Sequence, residues 1–343
     1  MDKPSFGWAV IGPGRIANRF AEAVCALPGM HLQHVQGRDR DRADAFARRW
    51  TRTSDAPIAT TTELAEVLAN DAVHGVYIAT PHAFHCDAIR AAILARKPVV
   101  CEKPMVTDAR AAAELFALSG SQRTFLMEAV WTRFLPLHHA VAEWLRAGLI
   151  GEVRSLQSSF CFNAPFDPKS RLFDPAQAGG ALLDIGIYNL TVTRMVLAAA
   201  LGRCPTALRI DASALLAPTG VDQRLHATLY FPGGIASQFV CAIDSAADNS
   251  FHIFGEHGTI TIHNGFWQAT RATLKRTGQA PLEIKHPFRT NGFEYQIEAA
   301  VAAIRDGRIE CDRIPHAETL ETLRWMDQIR SLIGVRYPFD SPQ

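Results

Sequence analysis

The chain has 343 residues, 48% of them hydrophobic, and a formal net charge of +1. That length suits two domains with sizeable cores. The balanced charge, free of long basic or acidic runs, points away from nucleic acid or a membrane surface as the main partner. The seven cysteines are scattered, with no Cys-x-x-Cys pair. Such thiols fit a reducing cytoplasm better than a disulfide framework. The opening residues show no signal-peptide core, and the best apolar run, 195–201, is far too short for a bilayer.

The first third alternates strand-like and helix-like segments. Strands are expected at 6–11, 31–36, 73–79, 99–101 and 124–127. Helices are expected at 16–27, 43–50, 64–68, 86–95 and 109–118, the first with Ile16, Phe20, Ala23, Val24 and Leu27 on one side. Repeated β-α units imply a parallel sheet with helices on both faces and right-handed crossovers. An amphipathic helix follows at 137–147. Then the pattern changes to alternating strands at 153–162, 208–215, 225–231, 235–241 and 259–263, with Pro232-Gly233-Gly234 as a hairpin turn. Helices return at 294–305 and 317–333. The second half therefore reads as a mainly antiparallel sheet with one face covered.

Gly12-Pro13-Gly14-Arg15-Ile16-Ala17 sits where the first strand ends and the first helix begins. Gly12 allows the tight turn, Gly14 lets a pyrophosphate approach the backbone, and Ala17 keeps helix and strand close. The amides at the helix start, from Arg15 and Ile16 onward, face the phosphates. An NAD site carries an acid about 20 residues further on; here the stretch is Gln36-Gly37-Arg38-Asp39-Arg40. A guanidinium at Arg38 suits a 2′-phosphate, so NADP is the expected cofactor. NAD remains possible if Asp39 takes the ribose.

Glu102-Lys103-Pro104 follows an apolar strand, at the sheet edge where ligands of such folds bind. Asp184 and Tyr188 are spaced i,i+4, so they share one helix face. A phenol with a pKa of about 10 is a poor base at neutral pH; a nearby ammonium lowers that value. Lys103 is the natural source of that field, and Asp184 orients the substrate hydroxyl or the lysine. The competing readings are a helix cap for Asp184 and a core tyrosine for Tyr188. Trp131, Arg133, Phe134 and Phe160 either wall a substrate pocket or belong to the core. His82 and His85 follow Thr80-Pro81 near the expected nicotinamide. Their His-x-x-His spacing lacks a third ligand, so no metal is expected.

The chain resembles the glucose–fructose oxidoreductase/inositol dehydrogenase/MocA-like oxidoreductases. The resemblance rests on Gly12 to Ala17, Ala79-Thr80-Pro81, Glu102-Lys103-Pro104, Leu149-Ile150-Gly151-Glu152-Val153 and the run from Gly179 to Tyr188. Three further segments are similar to the subgroup of dihydrodiol and NADP-dependent sugar dehydrogenases: Glu128 to Phe134, Arg171-Leu172-Phe173-Asp174-Pro175 and Tyr337-Pro338-Phe339. Ala178 stands where that subgroup often has a third glycine, and many members of the wider family carry histidine in place of Tyr188.

The resemblance implies an α/β protein. A Rossmann doubly wound parallel sheet would span residues 1–128. An α+β domain with an open, mainly antiparallel sheet would span 129–343 and often mediates dimers, so a homodimer or higher homo-oligomer is expected. It implies catalytic roles for Lys103, Asp184 and Tyr188. Cofactor contacts fall to Gly12, Gly14, Arg15, Ile16, Arg38, Thr80, Pro81, His82, Glu102 and Lys103; substrate contacts fall to Trp131, Arg133, Phe160, Arg171 and Asp184. The expected reaction is NADP-dependent hydride exchange with a cyclic polyol, a pyranose or a trans-dihydrodiol. The alternative is a nucleotide-binding sugar sensor without turnover.

Overall fold

The computed structural model describes residues 5–51 and 57–340. Internal packing divides the chain into two units, Met1–Trp131 with Phe288–Leu320, and Thr132–Pro287 with Glu321–Gln343.

The first unit is built on a six-stranded parallel sheet. Its elements are β1 (Phe6–Ile11), α1 (Arg15–Ala26), β2 (Met30–Gln36), α2 (Arg40–Thr51), β3 (Ala59–Thr61), α3 (Leu64–Ala69), β4 (Gly75–Ile78), α4 (His85–Leu94), β5 (Val99–Glu102), α5 (Ala109–Gln122) and β6 (Leu126–Ala129), and the strand order is β3-β2-β1-β4-β5-β6. Every residue of β1, β4 and β5 is buried, as a sheet covered on both faces requires. Aromatic packing fixes α1 on the sheet: Phe20 lies flat on Tyr77 with centroids 3.7 Å apart, and Trp8 meets Phe20 edge-on at 5.3 Å. Chain order reverses between β1 and β4, the place where this class of sheet opens a ligand crevice at the strands' carboxyl ends.

The second unit carries α6 (Pro136–Arg146), β7 (Val153–Cys161), a wide-turned helical segment at Leu182–Gly186 running into α7 (Ile187–Leu201), and strands β8 (Arg209–Leu216), β9 (Asp222–Tyr230), β10 (Ala236–Ala242), β11 (Phe251–Gly255), β12 (Gly258–Ile262), β13 (Arg271–Arg276) and β14 (Leu282–Lys285). These form an eight-stranded sheet in the order β14-β13-β12-β11-β7-β10-β9-β8, antiparallel except where β7 pairs with β10. Burial alternates along β9: Leu225, Ala227 and Leu229 face inward while His226 is exposed. After the sheet, α8 (Glu294–Arg305) packs on α1 within the first unit. Helix α9 (His316–Ile333) follows.

The α/β class with one parallel and one mainly antiparallel sheet is the expected one. Four strands had no clear sequence signal. Strand β3 has three residues, β14 is largely exposed, β13 alternates basic residues with apolar ones, and β11 is short. Pairing with neighbours, rather than local preference, makes them strands. A second difference concerns apolar length. The helical run Pro175–Leu201 is long and apolar enough to cross a membrane, contrary to the expectation of no such stretch, and 89% of its apolar window is buried in the protein. It packs on α6 and β7. A core helix buried all round carries the same composition as a membrane span.

Candidate active site

The glycine loop after β1 has the shape of a phosphate cradle. Gly12 holds φ +89°, and a Cβ there would stand 2.9 Å from the Thr80 amide nitrogen. Only glycine fits that close approach. The Gly12 amide donates to Gln36 O and the Gly14 amide to Gly12 O. Beside Gly14, by contrast, nothing lies within 4 Å of the Cβ position. No side chain caps the start of α1, so its first amides are left to another acceptor. Arg15 is exposed there and Ile16 half-buried. The Thr80 hydroxyl is buried without a hydrogen-bond partner, an acceptor or donor waiting at the end of β4.

At the end of β2, a Cβ on Gly37 would lie 3.0 Å from the Pro13 ring. Arg38 places its guanidinium over Phe84, 5.3 Å from the ring centroid, and Phe84 is 42% exposed. Phe84 gave no functional signal in the sequence; only its position across from Arg38 reveals it. An open helix start, an orphan hydroxyl and a cation beside an exposed aromatic face together fit a dinucleotide.

Lys103 follows β5 and is half-buried, joined to Pro104 by a cis peptide. The backbone around it is fastened by side chains from neighbouring strands. The two His85 ring nitrogens face Pro104 O at 3.0 Å and Thr80 O at 2.8 Å, tying the lysine turn to the Thr80-Pro81 turn. Burial pushes the His85 pKa down, against those carbonyls. With both nitrogens committed, His85 is a strut rather than a metal ligand. His82 is half-buried, its ring 5.8 Å from that of His85. Glu102 is buried; Tyr77 OH donates to its Oε1 and the Lys103 amide to its Oε2. Burial pushes the Glu102 carboxyl up, opposed by Tyr77 and Lys103. Beyond the turn, the Met105 amide and the Thr319 hydroxyl each donate to Glu128 at 2.9 Å. Trp131 is buried beneath the Arg19 guanidinium, 4.5 Å from its ring, with Phe293 at 4.9 Å.

The second unit joins two of the expected substrate residues directly. Arg171 donates to both Asp184 oxygens, at 2.9 and 3.4 Å. Asp184 is buried inside the wide-turned segment, where its amide donates to Gly180 O, so it does not cap the helix. Such wide turns recur at functional sites. Tyr188 is 7% exposed, with its ring 5.7 Å from Phe160. Phe160 in turn stacks on Trp267 at 3.4 Å. Arg133 is half-buried. Ala178 adopts the left-handed φ +57°, which explains the glycine found there in the subgroup it resembles. The Arg171–Asp184 pairing spans thirteen residues and had no sequence signal of its own.

Residues 6–129 match the oxidoreductase family with an NAD-binding Rossmann fold, and residues 138–261 match the GFO/IDH/MocA C-terminal domain. The chain is 33% identical to the trans-1,2-dihydrobenzene-1,2-diol dehydrogenases of Mus musculus and Homo sapiens, over 97% of this chain and 98% of each relative. Among solved structures, a 3-ketoreductase from Actinomadura kijaniata in complex with NADP and TDP-benzene is 25% identical, with a TM-score of 0.84 over 96% of this chain and 98% of that one. An aldose-aldose oxidoreductase from Caulobacter crescentus shares the fold at 24% identity and a TM-score of 0.83, over 96% of this chain and 97% of that one. The fold, the cradle and full-length relatives agree: this chain belongs to the GFO/IDH/MocA family of NAD(P)-dependent oxidoreductases.

Proposed function

We propose that the protein moves hydride between NADP(H) and a secondary alcohol or ketone of a cyclic substrate: a trans-dihydrodiol, a pyranose or a cyclic polyol. The observation that carries this reading is the buried Asp184, held by Arg171 four residues before Tyr188. An ion pair anchoring a carboxylate next to a phenol suits recognition and deprotonation of a hydroxyl. The dihydrodiol dehydrogenase relatives and the NADP-bound ketoreductase support the substrate class and the cofactor.

NADP, when bound, supplies the hydride acceptor for oxidation and, reduced, the donor for reduction. Gly12, Gly14 and the first amides of α1 would hold its pyrophosphate. Arg38 would face the 2′-phosphate with Phe84 beside it. Tyr188 takes the substrate hydroxyl proton onto its phenolic oxygen during oxidation and returns it during reduction. Lys103 would supply the positive charge that assists this proton transfer. Asp184 would accept a hydrogen bond from a neighbouring hydroxyl of the substrate and so fix the direction of the reacting one, while Arg171 holds that carboxylate in place. Phe160, with Trp267 stacked on it, offers an apolar face for a ring.

The deciding experiment is steady-state absorbance of reduced nicotinamide with trans-dihydrobenzenediol, D-xylose, D-glucose and inositol, using NADP and NAD in parallel. Turnover with NADP on at least one of them is expected. Nucleotide binding without turnover on any would favour the sensor. Faster rates with NAD would remove Arg38 from its assigned role. We also expect a cytoplasmic homodimer, in line with seven scattered cysteines that form no Cys-x-x-Cys pair and with a polar open sheet face.

A further inference from the structure

A second carboxylate governs the start of the helix that carries Asp184 and Tyr188. Asp222 opens β9 and is fully buried. Its Oδ2 accepts the Leu182 amide at 2.6 Å, at the first residue of the wide-turned segment. Its Oδ1 is buried with no hydrogen-bond partner among the described residues and occupies the place a side chain at position 180 would need, 2.3 Å from that Cβ position. Gly180, at φ +115°, leaves the room. Next to it, Tyr337 donates its hydroxyl proton to Gly179 O at 2.7 Å. Strand β9, through Asp222, and the segment of Tyr337 thus hold Leu182 and Gly179, the two ends of the four-residue stretch 179–182 that leads through Leu183 to Asp184.

We propose that Asp222 is a positioning residue: its ionised carboxylate caps the Asp184/Tyr188 helix from outside that helix, and its protonation loosens the helix start. This rests on the assignment of Asp184 and Tyr188 to the reaction. The physical reason is that a charged acceptor at a helix N-terminus holds an amide more strongly than a neutral one, and gains from the helix dipole. Burial opposes the charge and pushes the carboxyl from its ordinary value to about 7; the Leu182, Asp222 and Ala181 amides and the Arg330 charge pull it back. The groups facing it are Arg330 from α9, Tyr337 with Asp340 behind it from the last segment, and Cys241 from β10. The Tyr337 hydroxyl and the Cys241 thiol are both pushed well up by burial and by Asp222 itself. Both therefore stay neutral while Asp222 titrates. The cap is therefore stronger when the Asp222 carboxylate is ionised than when it is protonated.

The test compares wild type with Asp222→Asn over about pH 5.5 to 9. It reads kcat, the KM for NADP and amide hydrogen exchange of residues 180–188, with whichever of trans-dihydrobenzenediol and D-xylose turns over faster. In wild type, kcat should rise about tenfold through pH 7 at constant KM for NADP, and exchange at 181–184, corrected for intrinsic rates, should slow in step. Asp222→Asn keeps the shape and removes the charge. Its kcat should be about tenfold lower at pH 8, equal to wild type at pH 6, and without the step at pH 7, while any limb belonging to Tyr188 persists. A variant with the wild-type rate, pH profile and exchange overturns the proposal. If the variant does not fold, wild-type exchange alone decides: no change at 181–184 relative to α1 amides between pH 6 and 8 overturns it. The exchange readout stands even if neither substrate is turned over, so failure of the wider functional reading is told apart from failure of this one.

Discussion

At the scale of single residues, the proposed chemistry rests on an ion pair and on buried acids. Lys103 is proposed to assist the proton transfer, besides its expected place at the cofactor edge. Lys103→Met should lower kcat by about 10²–10⁴-fold, the usual range for loss of acid–base assistance, with NADP affinity by fluorescence titration nearly unchanged because the glycine cradle is intact. Arg171 orients Asp184 in a bidentate pair, and its own side chain is 44% exposed, so solvent screens part of the interaction. Arg171→Ala should therefore act mainly on substrate, raising KM for the diol or sugar about tenfold while melting changes little. Asp222 gives a stability signature with a definite sign. Its carboxyl is raised to about 7 in the fold, whereas an unfolded aspartate releases its proton near about 4. The folded state therefore holds the extra proton between these values. For the fold as a whole this group's contribution to stability is present below about pH 4, declines as pH rises to about 7 because burial disfavours its charge, and is level above, although the ionised form holds the Leu182 amide more strongly. Melting temperature measured across that window should fall more steeply in wild type than in Asp222→Asn.

At the scale of elements, the approach to the helix that carries Asp184 and Tyr188 is a run of unusual backbone. Ala178 is an L-residue at φ +57° and Gly180 sits at φ +115° against Asp222. The two positions should respond oppositely to a change of one methyl group. Ala178→Gly relieves left-handed strain of about 1 kcal/mol, partly offset by the greater freedom of an unfolded glycine, and should leave urea stability unchanged or slightly raised. Gly180→Ala adds a Cβ where Asp222 Oδ1 already stands, and should destabilise by roughly 2 kcal/mol or more. Urea denaturation of both variants checks the pair. A Gly180→Ala protein as stable as wild type would mean that the Asp222 contact yields easily. In the first unit the equivalent device is His85, whose ring sits between the Thr80 and Pro104 carbonyls and spaces the two turns at the cofactor edge.

At the scale of the whole molecule, the eight-stranded sheet leaves Gln157, His226 and Gln238 on an open face. An exposed sheet of that extent is a natural surface for a second copy. Light scattering should give a dimer, and Gln238→Arg, which sets like charges against each other across a twofold, should shift it toward monomer at low protein concentration. A monomeric wild type at working concentration removes this expectation.

Much of this protein was legible before any coordinates. The glycine cradle, the β-α alternation and the switch to antiparallel strands follow from local rules, because turn geometry and burial period are written in neighbouring residues. The fold class followed from them, and the family from a resemblance in motifs such as Glu102-Lys103-Pro104 and Gly179 to Tyr188. Other features were settled only in three dimensions. Strands such as β3 and β14 exist because a neighbour pairs with them. Arg171 and Asp184 meet across thirteen residues, and Asp222 reaches Leu182 across forty. Arg38 gains Phe84, and residues 288–320 pack with the first unit rather than with the sheet that precedes them. Sequence carries what a residue and its near neighbours prefer. Which distant carboxylate, cation or ring completes a site depends on how whole strands and helices pack, and that is decided by the tertiary fold.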